Sequence, residues 1–293
     1  IGVTGVQSVL FRSGVAVPML SGRGLGHTGG TIDKLAAIPG YRTDLSIARF
    51  QEVLAQCGYA MLAPSGDVAP ADKRMYATRD ISGTVESIPL ITSSILAKKL
   101  AEGIDGLVMD VKCGRAAFMG HEHDALELME NLVAVGRAAG IKMAALLTDM
   151  DHPLGLALGN ALEVAEVIAA LDGDCPADLR EVTLALGVEM LLLGGVAPDA
   201  ATARATLERV WQDGLVRQVF VHNLELQGGD PGVVDKPERL GRAPFVVPVE
   251  CARPGYVGDV DPLALGQGVV DLGGGRRQPA DRSEEHTSEL QSR

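Results

Sequence analysis

SGRGLGHTGGT, at residues 21–31, is the stretch that decides the fold, because five of its eleven residues are glycine. It follows an apolar stretch at 15–20 and leads into a helix-like stretch at 31–37. Glycines tolerate positive φ and let backbone N–H groups approach a ligand, while Ser21 and Thr31 add hydroxyl groups at the two ends. The pattern predicts a strand, a loop that binds an anion such as phosphate, and a helix; a tight turn without a ligand is the alternative.

Short apolar stretches alternate with amphipathic ones along the rest of the chain. Strands are predicted at 15–20, 59–63, 106–111, 141–147 and 244–249. This alternation is typical of an α/β fold with a mostly parallel, partly mixed sheet flanked by helices.

Two helices beyond the glycine run have clear signals. Asn160 and Glu163 have the spacing of a capping box that opens one of them. The other carries Ala203, Leu207, Val210 and Trp211 on one face and ends near Gly214, so we expect the tryptophan to be a core residue.

Composition excludes several classes of protein. Hydrophobic residues make up 46% of the 293 residues and the net charge is −12, so a buried core is expected and nonspecific nucleic-acid binding is not. The four cysteines, Cys57, Cys113, Cys175 and Cys251, lack the spacing of a metal site and indicate reduced thiols in the cytoplasm. No apolar run reaches the roughly 20 residues of a membrane span. We therefore expect no metal, no nucleic acid and no membrane as partners.

A second group of polar residues lies at 79–98. Ser94 and Lys98 are four residues apart and project from one face of a helix, whereas Lys99 points about 100° away. The planar guanidinium of Arg79, on the preceding helix-like stretch, suits a carbonyl oxygen. The alternative is a surface ion pair for Arg79 and a solvated Lys98.

The chain resembles the thymidine and pyrimidine-nucleoside phosphorylase family. The resemblance covers most of residues 15–280 and is carried by SGRGLGHTGGTIDKL from residue 21, APADKRMYATRDISGTVESIPLITSSILAKKLAEGIDGLVMDVK at 69–112, ALLTDMDHPLG at 145–155, GNALEVAEVI at 159–168 and GGGRRQ at 273–278. It implies a homodimeric pentosyltransferase that reversibly converts thymidine and phosphate to thymine and 2-deoxy-α-D-ribose 1-phosphate. Phosphate is then a co-substrate, and no cofactor is expected.

The resemblance also implies roles for individual residues. Arg79, Ser94 and Lys98 match the positions that contact the base, Arg79 and Lys98 as catalytic groups, and Ser21 and Thr31 match phosphate contacts. The pocket that holds base and sugar would be lined by Tyr76, Leu25, Val85, Ile95 and Phe118, although apolar side chains at these spacings also suit an ordinary core.

The expected organisation follows from the same resemblance. Residues 1–65 and 104–281 are expected to form an α/β lobe that is truncated at its C-terminus. Residues 66–103 belong to a smaller helical lobe and carry the base-binding residues, and the active-site cleft lies between the lobes. RSEEHTSELQSR, at 282–293, is expected to be an adapter-derived artefact.

Two departures from the family pattern matter for activity. The family's KHSTGG segment, which supplies a general-acid histidine, has no counterpart before Val15, and His27 belongs to a different motif. We therefore expect little or no activity from these 293 residues. Arg115 stands where the family has small residues; it could crowd the pocket, contact phosphate or be a read error.

Three other functions stay open. The first is a broader pyrimidine-nucleoside phosphorylase that also accepts uridine. The second is an enzyme similar to anthranilate phosphoribosyltransferase, which would require Mg²⁺ and phosphoribosyl pyrophosphate. The third is a catalytically dead binder.

Overall fold

The structure is a computed structural model. It describes residues 14–22, 24, 29–63, 69–72, 74–75, 78, 84, 87–241, 243, 245–250, 253–274 and 290–291. Within these residues the chain is an α/β protein in which short parallel strand pairs are covered by helices, as the sequence predicts.

The first parallel pair joins β1 (Val17–Leu20) to β2 (Tyr59–Leu62), with Met19 opposite Met61. Between the strands the chain forms α1 (Thr31–Ala36) and α2 (Ile47–Cys57). The helix α2 begins where Ser46 Oγ accepts the N–H of Arg49 and ends at Gly58, whose φ of 76° stops the helix directly before β2.

The second parallel pair joins β3 (Gly106–Cys113) to β4 (Lys142–Asp149) over eight residue pairs. The helix α3 (Ile88–Ala101) precedes β3, and α4 (Glu122–Ala138) connects the two strands. Leu96, Val111, Leu132 and Met143 belong to one buried cluster, so α3 and α4 pack on this strand pair through a shared core.

Helices make up most of the described residues that follow β4. They are α5 (Asn160–Leu171), α6 (Ala177–Leu193), α7 (Ala200–Gln212), α8 (Leu215–Leu226) and α9 (Pro262–Asp271), with 3₁₀ turns at Pro231–Val233 and Pro237–Leu240. The helices α5–α8 share a large core with β1 and β2, and α6 also contacts β3 and β4. A short antiparallel pair joins β5 (Ala157–Leu158) to β6 (Leu290–Gln291).

The predicted helix that carries the tryptophan is confirmed. Ala203, Leu207, Val210 and Trp211 are all buried, and Trp211 Nε1 donates to the carbonyl of Ala170 at 2.8 Å. The helix ends at Gln212, two residues before Gly214. The indole is therefore a packing residue with a satisfied polar group.

The strand predicted at 244–249 is wrong for the described residues 245–249. They have no regular structure, and Phe245, Val246, Val247 and Val249 are between 79% and 95% exposed. Pro248 lacks a backbone N–H to donate to a strand ladder, which opposes sheet formation in this stretch.

The predicted capping box at α5 is half right. Gly159 is the N-cap and Asn160 is already the first helical residue, so Asn160 does not cap the helix. Glu163 Oε1 does accept the Gly159 N–H, at 3.2 Å.

No described helix is both long enough and apolar enough to cross a membrane.

Candidate active site

Ser94 and Lys98 lie on one face of α3, as their spacing predicts. The helix begins after Ser87, with a proline in its first turn, and continues to Ala101. Lys98 Nζ donates to Ser94 Oγ at 3.0 Å. Ser94 is buried, whereas the Lys98 side chain keeps 31% of its surface exposed. The pair thus joins a buried hydroxyl to a partly accessible ammonium group.

The ammonium group of Lys98 also has a carboxylate partner. Asp72 Oδ2 lies 2.7 Å from Lys98 Nζ, and the Asp72 side chain is only 12% exposed. The described residues 70–72, 74–75 and 78 are helical. This ion pair therefore joins α3 to the helical stretch that precedes it.

The neighbouring Lys99 points elsewhere and docks α3 against β1. Lys99 Nζ contacts Glu102 Oε1 at 2.8 Å and donates to the carbonyl of Leu20 at 3.4 Å. Glu102 Oε1 also accepts the Leu20 N–H at 3.3 Å. Burial raises the pKa of the Glu102 carboxyl, with Lys99 acting in the opposite direction. Since Leu20 directly precedes Ser21, this contact brings α3 to the start of the glycine run.

The described part of the glycine run lies between β1 and α1. Ser21 continues from β1 and donates its backbone N–H to the carbonyl of Leu62, while Thr31 is the first residue of α1. Both are partly exposed. The buried Asp33 accepts the N–H of Gly24 at 2.6 Å, so the run folds back on the helix that follows it.

Polar groups also meet across β3 and β4, near their carboxyl ends. Lys112 Nζ lies 2.8 Å from Asp110 Oδ2 and 2.8 Å from Thr148 Oγ1, and Thr148 Oγ1 donates to Asp110 Oδ1 at 2.5 Å. The parallel register places Lys112 opposite Thr148. Asp110 and Lys112, both on β3, therefore form an ion pair, and Thr148 on β4 bonds to both of them.

Arg115 forms a bidentate ion pair in the loop after β3. Its two terminal nitrogens lie 2.9 and 2.8 Å from the two carboxylate oxygens of Asp259, and its backbone N–H donates to Asp151 Oδ1 at 2.7 Å. The guanidinium also donates to the carbonyl of Asp151 at 2.8 Å, so two aspartates hold Arg115 in place. Phe118, in the same loop, is 73% exposed.

The remaining residues of the predicted site fall into two groups. Ile95 is half-buried and packs against the core of α3, α4 and β3. Arg79, Tyr76, Leu25 and Val85 lie outside the described residues, as does His27.

Three carboxylates near the predicted site were not anticipated from the sequence. Asp72 holds Lys98, Glu102 holds Lys99, and Asp33 holds Gly24. The i,i+3 spacing of Lys99 and Glu102 on a helix was a signal that could have identified that pair. Asp72 is 26 residues from Lys98, a separation for which local periodicity carries no signal.

In the part of the chain that the structure describes, no three His, Cys, Asp or Glu side chains come together as a group that could hold a metal ion.

Comparison with known proteins identifies the class. Residues 3–216 match the model of the "Glycosyl transferase family, a/b domain", and the chain belongs to this family. Its relatives include proteins named thymidine phosphorylase from Burkholderia lata and Burkholderia orbicola (strain MC0-3), each 48% identical over 287 residues. The protein of that name from Burkholderia cenocepacia (strain HI2424) is also 48% identical. The alignments cover 96% of this chain and 66% of each relative, so the chain spans just under two thirds of their length.

Proposed function

We propose that this chain carries out, as part of its full protein, the reversible phosphorolysis of thymidine to thymine and 2-deoxy-α-D-ribose 1-phosphate. The observation that carries the proposal is the hydrogen-bonded pair of Ser94 and Lys98 on one face of α3. This pair occurs in a chain that is 48% identical to proteins named thymidine phosphorylase.

The proposed chemistry assigns each group a task. Phosphate attacks C1′ with inversion, and negative charge builds on the pyrimidine as the glycosidic bond breaks. Lys98 and Arg79 would stabilise that charge by donating to the carbonyl oxygens of the base, because fixed donors are most effective where charge develops. Ser94 would bind the ring nitrogen N3. Ser21 and Thr31 would hold the phosphate, and no general-acid histidine is assigned to this chain.

Four further properties belong to the proposal. The enzyme would need no metal or organic cofactor, so a chelator would leave turnover unchanged. The full protein would be a homodimer, which light scattering of the purified protein tests. Its substrates would be small molecules and not nucleic acids. It would reside in the cytoplasm, in line with cysteine thiols that lack metal-site spacing.

The central experiment measures thymine release from thymidine at saturating phosphate by the full-length product of the gene. Lys98→Ala and Arg79→Ala should each lower kcat/KM by about 10²–10³-fold, because each removes a charged donor worth about 3–4 kcal/mol in the transition state. Ser94→Ala should also lower kcat/KM, because it removes the proposed contact to N3, and Ser93→Ala is its matched control. Ser93 is exposed and donates to the carbonyl of Leu90 in the same helix. Unchanged kinetics in Lys98→Ala would contradict the proposed base site.

Further assays of the same full-length protein separate the alternatives. Uridine turnover comparable to that of thymidine would indicate a broader pyrimidine-nucleoside phosphorylase. Activity that requires Mg²⁺ and phosphoribosyl pyrophosphate would indicate an enzyme of the anthranilate phosphoribosyltransferase type. Thymine binding without any turnover would indicate a dead binder.

A further inference from the structure

Lys98 is held at two points. Its ammonium group has three N–H donors and no acceptor. One N–H is directed to Asp72 Oδ2 at 2.7 Å and one to Ser94 Oγ at 3.0 Å. These two contacts leave the third N–H of Lys98 for an acceptor other than Asp72 and Ser94. The three residues together therefore present one directed donor instead of a freely rotating charge.

The burial of Ser94 and Asp72 restricts the orientation of the Lys98 ammonium group. Ser94 is 8% exposed and the Asp72 side chain 12% exposed, so the two anchors are withdrawn from solvent while Lys98 stays accessible. A lysine side chain has many rotamers, and holding its end before a ligand arrives removes an ordering cost from binding. A charged hydrogen bond in a partly buried position is also stronger than one in bulk water.

We propose that Asp72 is a positioning residue for Lys98, fixing the ammonium group so that its third N–H meets a carbonyl oxygen of the pyrimidine. This inference rests on the proposed function, since it assumes that Lys98 contacts the base. Asp72 acts through Lys98 and does not touch the substrate. Ser94 Oγ accepts from Lys98 and so provides the second anchor of the ammonium group.

A carboxylate beside a cation has an opposing electrostatic effect. Its negative charge reduces the field that Lys98 exerts on the developing charge of the base. Positioning must outweigh this loss if Asp72 assists the reaction. If positioning dominates, a variant that lacks the carboxylate has a lower kcat/KM; if the weakened field dominates, it has a higher one. The direction of the change in kcat/KM therefore decides between the two effects.

The experiment is a double-mutant cycle on the full-length gene product. Asp72→Ala should lower kcat/KM for thymidine by about 10-fold to 100-fold, mostly through kcat, because the contact that it orients strengthens in the transition state. Asp72→Asn keeps an acceptor oxygen, so its kcat/KM should lie between the values for Asp72→Ala and the wild type. In a Lys98→Ala background, Asp72→Ala should cause no further loss. The control is Asp44→Ala, which removes an exposed carboxylate paired with Arg42 at 3.1 Å.

Separate outcomes identify what has failed. If Lys98→Ala leaves turnover unchanged, the proposed base site is wrong whatever Asp72 does. If Lys98→Ala reduces turnover but Asp72→Ala and Asp72→Asn stay within twofold of the wild type, or increase it, the positioning role alone is overturned. Equal losses from Asp72→Ala with and without Lys98 would also overturn it. Circular dichroism of each variant at the assay temperature identifies loss of folding, and Asp72→Asn, which preserves shape, then decides the outcome.

Discussion

The side-chain amide of Gln227 bonds to both backbone polar groups of Met61. Its Oε1 accepts the Met61 N–H at 2.9 Å, and its Nε2 donates to the Met61 carbonyl at 3.0 Å. Since β2 pairs with β1 along its other edge, the amide occupies the place of a further strand. Gln227 Nε2 also donates to the carbonyl of Arg42 at 2.7 Å, which ties the loop before α2 to the same residue.

Replacing the Gln227 amide should lower the free energy of unfolding. Gln227 is 1% exposed, and Gln227→Leu would leave the Met61 N–H and carbonyl unpaired in the core and remove a donor from the partly buried Arg42 carbonyl. Each unsatisfied buried group costs about 1–3 kcal/mol, so we expect the free energy of unfolding to fall by about 3 kcal/mol or more. Urea denaturation measures it. Gln218→Leu, at an exposed position of α8, the helix that ends directly before Gln227, should change the free energy of unfolding by less than about 0.5 kcal/mol. Similar small effects for both variants would show that the amide is dispensable.

The ion pair of Lys34 and Glu163 connects α1 to α5. The charged atoms lie 2.6 Å apart, and the side chains are 14% and 12% exposed. Burial lowers the pKa of Lys34, but the attraction and hydrogen bond of Glu163, together with smaller effects that include the charge of Asp33, raise the pKa overall. Lys34→Met removes the positive charge that faces the largely buried Glu163 carboxylate and should destabilise the fold by about 3–5 kcal/mol.

Two comparisons test that interpretation of Lys34→Met. Adding Glu163→Leu should restore much of the lost free energy of unfolding, because it removes the negative charge that Lys34 no longer balances. Glu52→Gln breaks an exposed pair with Arg49 and should cost about 0–1 kcal/mol. A double variant as unstable as Lys34→Met would show that packing, and not charge, causes the loss.

Gly155 faces the buried carboxylate of Glu166. Its φ is 73°, and an added Cβ would overlap with the Glu166 side chain. Gly155→Ala should therefore cost about 1–2 kcal/mol for the backbone and about 1–3 kcal/mol more for the overlap. Gly195 has a similar φ of 66° with no atom near an added Cβ, so Gly195→Ala should show the backbone cost alone. Thermal unfolding of the two variants gives the difference, and equal losses would contradict the steric argument.

The pKa of His152 depends on its hydrogen bond to Asp149. The hydrogen bond that His152 Nδ1 donates to Asp149 Oδ2 at 2.9 Å raises the pKa of His152, and the same bond lowers the pKa of Asp149. The histidine contribution to stability is therefore complete below its unfolded pKa of about 6.5 and is lost as pH rises through the higher folded value. The aspartate contribution is present above about 3.9 and is lost as pH falls through the lowered folded value. The pair is strongest at mildly acidic pH.

Proton NMR of the imidazole tests this directly. Asp149→Asn should move the His152 midpoint down towards about 6.5, whereas Glu225→Gln, beside the separate His222, should leave it unchanged. A His152 midpoint that does not respond to Asp149→Asn would rule out the carboxylate as the cause.

Features set by local periodicity could be predicted from the sequence. The strand positions at 17–20, 59–62, 106–113 and 142–149 agree with prediction to within about two residues, and the buried face of Trp211 follows from 3.6-residue spacing. The shared face of Ser94 and Lys98 has the same origin, since residues four apart on a helix are neighbours. The predicted roles of these residues, of Ser21 and Thr31, and of Arg79 remain predictions.

What the tertiary structure alone decided is which distant groups meet. The spacing of Glu163 indicated a helix cap, yet the folded chain also gives it Lys34 as a partner. Asp72 reaches Lys98, and Gln227 reaches Met61 across 166 positions. Local sequence determines secondary structure because its hydrogen bonds and side-chain faces repeat over a few residues. Pairing between remote polar groups depends on how the packed elements are oriented, because a buried charge or amide is stable only where a partner lies within hydrogen-bond distance.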